Sequence, residues 1–204
     1  HNGTVNGATL SADRYGSNSK SYSFNGTSQG ISVSDASSKL APANLSASVW
    51  VYWDGTYDTE FPNGGRSAVV LYKGLYNPYP NNAFGIYVAQ EHGDKLVGRS
   101  DSAGFAAKPA PTPDTHIISN SAMPVNKWVH CIMTVDNTSK TARMYINGVL
   151  NDTRAFDQTI KSSNELFTIG KFPEDNKHDF GGKIDDVRIY DRALNADEVR
   201  LLHS

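Results

Sequence analysis

Cysteine is nearly absent from this chain. Cys131 stands alone, so no internal disulfide forms and no thiolate-rich zinc site can be assembled. It lies in Trp128-Val129-His130-Cys131-Ile132-Met133-Thr134-Val135, a β-like run in which a lone thiol reads as a small buried apolar side chain. Glutamate is scarce as well. The residues Glu60, Glu91, Glu165, Glu174 and Glu198 are scattered, and none forms a closely spaced acid pair with another. No apolar run approaches the roughly 20 residues that span a bilayer, and no charged-then-apolar leader is present. A dense basic run is missing too. With a formal charge of -2 and pI near 6.3, nucleic acid and anionic membranes are not indicated as partners. There is no Gly-x-Ser-x-Gly elbow, no His-Glu-x-x-His and no phosphate-cradling glycine motif. His130, mid-strand, reads as a hydrogen-bonded structural residue and not a base. No catalytic residue is assigned, and the chain is expected not to be an enzyme.

What the sequence does contain is a succession of short strands. Its 204 residues suit one domain, 1–204, whose abrupt start at His1-Asn2-Gly3 suggests a piece of a larger exported protein. The 17 glycines and ten tyrosines, with much Asn, Ser and Thr, match exported β-proteins. A β-like piece over 4–10 enters a turn-rich loop, 13–20. Ser21-Tyr22-Ser23-Phe24 alternates, Asn25-Gly26 is a turn signal and Ile31-Ser32-Val33 alternates again, which predicts a hairpin. The clearest period-two run follows. Leu45, Ala47, Val49, Val51 and Trp53 share one face of a predicted central strand, with Ser46, Ser48, Trp50 and Tyr52 on the other.

Residues 67–72 are continuously apolar, as in a strand buried on both faces. A loop is predicted over 73–82, strands over 83–89 and 95–100, and a compact turn at Glu91-His92-Gly93-Asp94. The proline-rich stretch 103–114 reads as a surface excursion. Strands are then expected over 128–135 and 141–146, with Asn147-Gly148 the strongest hairpin signal in the chain. Phe167-Thr168-Ile169 is a short strand. Residues 180–194 read as a glycine-led strand and turn, and a helix over 196–202 begins at Asn195 as N-cap, with Glu198 completing a capping box and Leu194 stapling to Val199. Many strands without βαβ alternation give an all-β fold, an antiparallel two-sheet sandwich or jelly roll with one short C-terminal helix.

The run Gly182-Lys183-Ile184-Asp185-Asp186-Val187-Arg188-Ile189-Tyr190, with Arg192-Ala193-Leu194 and the helix containing Glu198, resembles the laminin-G-like jelly rolls of the concanavalin A-like lectin/glucanase superfamily. Asp13-Arg14-Tyr15-Gly16 before Tyr22-Ser23-Phe24-Asn25-Gly26, Trp128-Val129-His130 before Thr134-Val135-Asp136, and Tyr145-Ile146-Asn147-Gly148 extend that resemblance over nearly the whole chain. It implies a concanavalin A-like jelly roll whose first and last strands lie side by side. It also implies a non-catalytic, secreted or cell-surface module that binds carbohydrate or, alternatively, an extracellular protein in adhesion, and that often holds calcium. Glucanases of the superfamily carry a pattern like Glu-x-Asp-x-Glu. This chain has none, so a divergent glycan-active enzyme is the third reading.

Two candidate sites follow. Calcium takes about six to eight oxygen ligands, commonly from a flexible loop. If the first and last strands are neighbours, Asp13, the Gly16 carbonyl and Asn18 would face Asp185, the more regular family position. Asp185 and Asp186 take opposite faces of a regular strand, so one alone is expected at the ion; both are equally open to pairing with Arg14 or Arg188. For sugar, an aromatic platform beside polar groups is needed. Tyr57, Tyr76 and Tyr79, in turn-rich segments, are the candidates. Trp50, Trp53 and Trp128 sit in strands and are expected in the core.

Overall fold

The computed structural model describes residues 2–58, 66–75, 81–99, 116–156, 163–174 and 177–204. Its strands are β1 Gly3–Asn6, β2 Thr9–Ser11, β3 Ser21–Asn25, β4 Gly30–Val33, β5 Leu45–Trp53, β6 Ser67–Leu75, β7 Asn81–Ala89, β8 Lys95–Arg99, β9 Ile117–Ala122, β10 Trp128–Asp136, β11 Thr141–Ile146, β12 Val149–Ala155, β13 Phe167–Ile169 and β14 Gly181–Tyr190, followed by helix α1, Ala196–His203. They form two seven-stranded sheets, ordered β1-β4-β13-β6-β7-β8-β9 and β12-β11-β10-β5-β14-β3-β2. The paired strands run antiparallel. This is the expected jelly-roll sandwich.

Two long, largely buried strands occupy the fourth place in each sheet, β6 in the first and β5 in the second. On β5, Leu45, Ala47, Val49 and Val51 are 0% exposed and Trp53 is 2% exposed, so the period-two alternation does put this face in the core. Ala68, Val70 and Leu71 meet it from β6, with Phe84, Ile86, Met133 and Met144 beside them. The other face of β6 is also covered: Val69 and Tyr72 pack with Tyr87, Ala89 and Val97. Lys73, expected in a loop, lies in β6 and is fully buried, its Nζ 3.0 Å from Asp35 Oδ2, whose side chain is equally buried.

Connections differ from the sequence reading in three places. The piece 4–10 breaks at Gly7 (φ 76°), which sends β1 to the first sheet and β2 to the second. The Asn25-Gly26 turn exists, with Asn25 Oδ1 accepting the amides of Thr27 and Ser28. Yet it crosses between the sheets instead of forming a hairpin: β3 pairs with β14 and β2, whereas β4 pairs with β1 and β13. Phe24 of β3 is buried in the core, its ring packed edge-on against Phe180 at 6.3 Å. The last strand is likewise not beside the first. β14 lies between β3 and β5, and β2 is one strand further out.

Other local signals hold. Asn147 (φ 50°) and Gly148 (φ 78°) turn β11 into β12 with both residues at positive φ. The glycines opening β14 are there for space: a Cβ on Gly182 would lie 2.0 Å from the Tyr52 carbonyl oxygen. In α1 the Asn195 side chain accepts the amides of Asp197 and Glu198, while Glu198 reaches back to the Asn195 amide, completing the capping box. Leu194 and Val199 are both buried in a small cluster with Ile132 and Tyr145, as the staple requires.

Candidate functional site

β-register aligns the side chains on the outer face of the second sheet. One row across the strands is Trp128, Tyr52, Lys183, Ser23 and Thr9; the next contains His130, Trp50 and Asp185. Residues directly opposite share a face, and these alternate with the core-facing set. The end of this face near β14's close is covered by α1, through Leu194 and Val199 on Ile132 and Tyr145. Toward the other end, among the described residues, Trp128 and Tyr52 are partly exposed, their ring centroids 5.6 Å apart and tilted by 60°, with Lys183 Nζ 5.1 Å from the Tyr52 centroid.

Between these ends lies a stack centred on Trp50. His130 is parallel to its ring at 4.8 Å and 7°, His203 at 5.3 Å and 19°, and the Arg14 guanidinium carbon is 4.6 Å from its centroid. Ser48 Oγ is 2.9 Å from His130 Nε2, and the Asn147 side chain accepts the His130 amide. Burial holds the His130 imidazole down at about 4, and His203, Arg14 and Arg188 add to this. It is therefore neutral at physiological pH, a structural histidine as expected.

Arg14 ties the β2–β3 loop to β14. Its Nη1 is 3.2 Å from Asp185 Oδ2 and 2.9 Å from Asp186 Oδ2. Both carboxylates reach it because β14 is not regular here: the register shifts between Asp185 and Arg188, and Asp186 has φ 47°. That bulge corrects the expectation of opposite faces. Burial raises the Asp185 carboxyl above the usual range, against the pull of the Asp186 amide on its Oδ1. In the loop, Asp13 Oδ1 accepts the amides of Tyr15 at 2.9 Å and Ser17 at 2.8 Å; Gly16 and Asn18 are exposed in the same loop. Asp13, Gly16 and Asn18 thus lie in the β2–β3 loop, and Asp185 lies on the inner strand β14, tied to that loop through Arg14. As arranged they do not fit a calcium ion, since Arg14 already places a positive charge against Asp185 and Asp186.

A family model for the concanavalin A-like lectin/glucanases superfamily, of the laminin G type, matches residues 25–200. The chain belongs to this superfamily. No curated protein matches it. Among solved structures, this concanavalin A-like domain resembles domain 4 of AbnA, a GH43 extracellular arabinanase from Geobacillus stearothermophilus solved with arabinotriose: 20% identity, 99% of this chain and 88% of that one, TM-score 0.65. It also resembles the binding domain of Paraclostridial Mosquitocidal Protein 1, at 22% identity over 99% of this chain, TM-score 0.68. Trypanosoma rangeli sialidase shares 16% identity over 98% of this chain, TM-score 0.67. The domain spans 47% of the mosquitocidal chain and 29% of the sialidase chain. At these identities the likeness is one of fold.

Of the aromatic candidates in this concanavalin A-like chain, Tyr57 is described and Tyr76 and Tyr79 lie outside the described residues. Tyr57 is engaged in packing. It meets Trp53 at 5.2 Å in an edge contact, its hydroxyl donates to Asp94 at 2.8 Å, and desolvation with that carboxylate raises its phenol far above the ordinary range. Trp53 is buried between the sheets and Trp50 is buried on the outer face, so of the three strand tryptophans only Trp128 departs from the expectation: it is partly exposed, beside Tyr52. Alternation on β5 already placed Tyr52 opposite the core, and the register with β10 brings Trp128 beside it.

Proposed function

We propose that this domain is a non-catalytic carbohydrate-binding module of an exported protein, and that the row Trp128, Tyr52 and Lys183 is its platform. The observation that carries the reading is the pair of partly exposed aromatic side chains on adjacent central strands, with Lys183, Ser23 and Thr9 continuing the row. Sugars present apolar C–H faces to aromatic rings and hydroxyls to polar neighbours, and a sheet holds such a row rigidly. The fold likeness to an arabinanase domain solved with arabinotriose supports this, as does that protein's being extracellular. A binding and not a hydrolytic role is supported by the engagement of Asp185 and Asp186 with Arg14. The fraction of the mosquitocidal and sialidase chains that the domain spans supports a place beside other domains.

Titration calorimetry against a panel of polysaccharides and arabino-oligosaccharides tests the platform. Wild-type protein is expected to bind at least one of them, and Trp128→Ala and Tyr52→Ala each to weaken that binding at least about tenfold, near 1.4 kcal/mol, with the circular dichroism spectrum unchanged. Retention of no glycan by the wild type would replace this reading with the protein-adhesion one. Equal binding by both variants would move the site off this face, and release of reducing ends from any polysaccharide would overturn the non-catalytic assignment.

A further inference from the structure

The stack beneath α1 contains a buried charge trap. His130 is 2% exposed, and its Nε2 is engaged by Ser48 Oγ while its Nδ1 has no hydrogen-bond partner. A neutral ring tolerates this arrangement. A protonated ring carries N–H donors on both nitrogens, and the second would have no acceptor among the described residues, which in a low-dielectric setting is costly. The groups facing the ring deepen the penalty. Trp50 lies on one side from β5, and His203 stacks at 5.7 Å from α1. Arg14 from the β2–β3 loop and Arg188 from β14 disfavour its charge, and Asp186 alone among the named neighbours favours it. Asp185, in the same row, is engaged by Arg14.

Of these covers, α1 is the least anchored. Trp50, Ser48, Arg188 and Asp186 belong to sheet strands and Arg14 is held from its loop by Asp185 and Asp186, whereas α1 is eight residues long, fully buries Val199 alone with Leu202 partly buried against the same cluster, and rests its far end on the stack through His203. The helix start is differently secured. Arg192 pairs with Glu198 at 2.7 Å, and this pair with the Asn195 amide holds the Glu198 carboxyl down near 2, so the capping box survives mild acid.

We propose that the C-terminal half of α1 is an acid-released latch: protonation of His130 frees the helix end from the second sheet and admits water to the outer face of Trp50. The direction follows from linkage. His130 has an ordinary value of 6.5 when solvated and about 4 in the closed structure, so the stabilisation from keeping it neutral is complete above pH 6.5 and is lost as pH falls toward 4. Opening gains at most about tenfold per pH unit within that window. The latch is independent of what the platform binds.

Amide hydrogen exchange on the whole chain, corrected for intrinsic rates, is the direct measurement. Between pH 7 and pH 5 the protection of the Leu201, Leu202 and His203 amides is expected to fall about tenfold, while amides of β5 and β6 keep theirs. His130→Gln and His130→Phe, one retaining a polar contact to Ser48 and the other the ring stack, are both expected to flatten that difference. Equal protection at the two pH values in wild type, or the same fall in a folded His130 variant, overturns the latch. The His130 ring-proton resonance of the wild type gives a second reading that needs no variant: a titration midpoint below pH 5 is expected, and an ordinary midpoint near 6.5 would also overturn it.

Discussion

Arg14 is the side chain that most changes the chemistry of its surroundings. It brings a guanidinium against two carboxylates and two aromatic rings, Trp50 and Tyr15, at once. Charge-assisted hydrogen bonds of this kind contribute about 1.5–3 kcal/mol each when partly buried. Replacement by Gln should therefore lower the unfolding free energy by about 2 kcal/mol, read from urea midpoints. Because Arg14 supplies the positive charge, calcium added to chelator-treated wild-type protein should leave Tm where it is. A rise would show that the ion displaces the guanidinium.

Lys73 is the other residue whose role is set by burial. Asp35 receives its ammonium together with the amides of Lys39 and Leu40, and the Glu165 carbonyl also accepts from Nζ. Lys73→Met would strand the Asp35 charge, a loss of about 3–5 kcal/mol, measurable as a fall in Tm of many degrees. The Arg14 pairing was one of the options open from sequence alone. The Lys73 pairing was not legible there, because 38 positions separate the two residues and a lysine after an apolar run looks like the start of a loop.

At the scale of elements, the parts governed by local rules were readable. The capping box of α1, the Asn147-Gly148 turn and the alternation of β5 each follow from side-chain chemistry within a few residues. Asn195→Ala removes the acceptor for two amides at the start of α1 and is expected to cost about 1 kcal/mol, seen as a small shift of the thermal midpoint. What local rules do not encode is partner choice between strands. The Asn25-Gly26 signal describes the turn correctly and says nothing about whether the chain then doubles back or crosses 10 Å or so to the facing sheet. Likewise the bulge at Asp186 is marked only by an aspartate, a residue that tolerates positive φ but does not demand it, so the alternation of a regular strand points only one of the two carboxylates to this face. The platform was hidden for the same reason: Tyr52 and Trp128 are 76 positions apart and meet only through the β5–β10 register.

Seen as a whole, the sandwich is fastened differently on its two flanks. On one, side chains of β12 satisfy the backbone of β9, with Asn151 Oδ1 accepting the Asn120 amide at 2.7 Å and Asp152 Oδ2 the Ile118 amide at 3.1 Å. These bonds blunt what would otherwise be a free strand edge. On the other, β1 and β2 are short and largely exposed, and an apolar hollow lined by Ile31, Ile169 and Val187 opens between the sheets. The placement of β14 between β3 and β5 bears on how such a chain is made. Synthesis proceeds from the N-terminus, so both flanking strands leave the ribosome with their inner edges bare and must wait for residues 181–190 to arrive. Until then β3 and β5 have no strand between them to pair with, and the side of the largely buried β5 that β14 covers in the finished sheet is left bare.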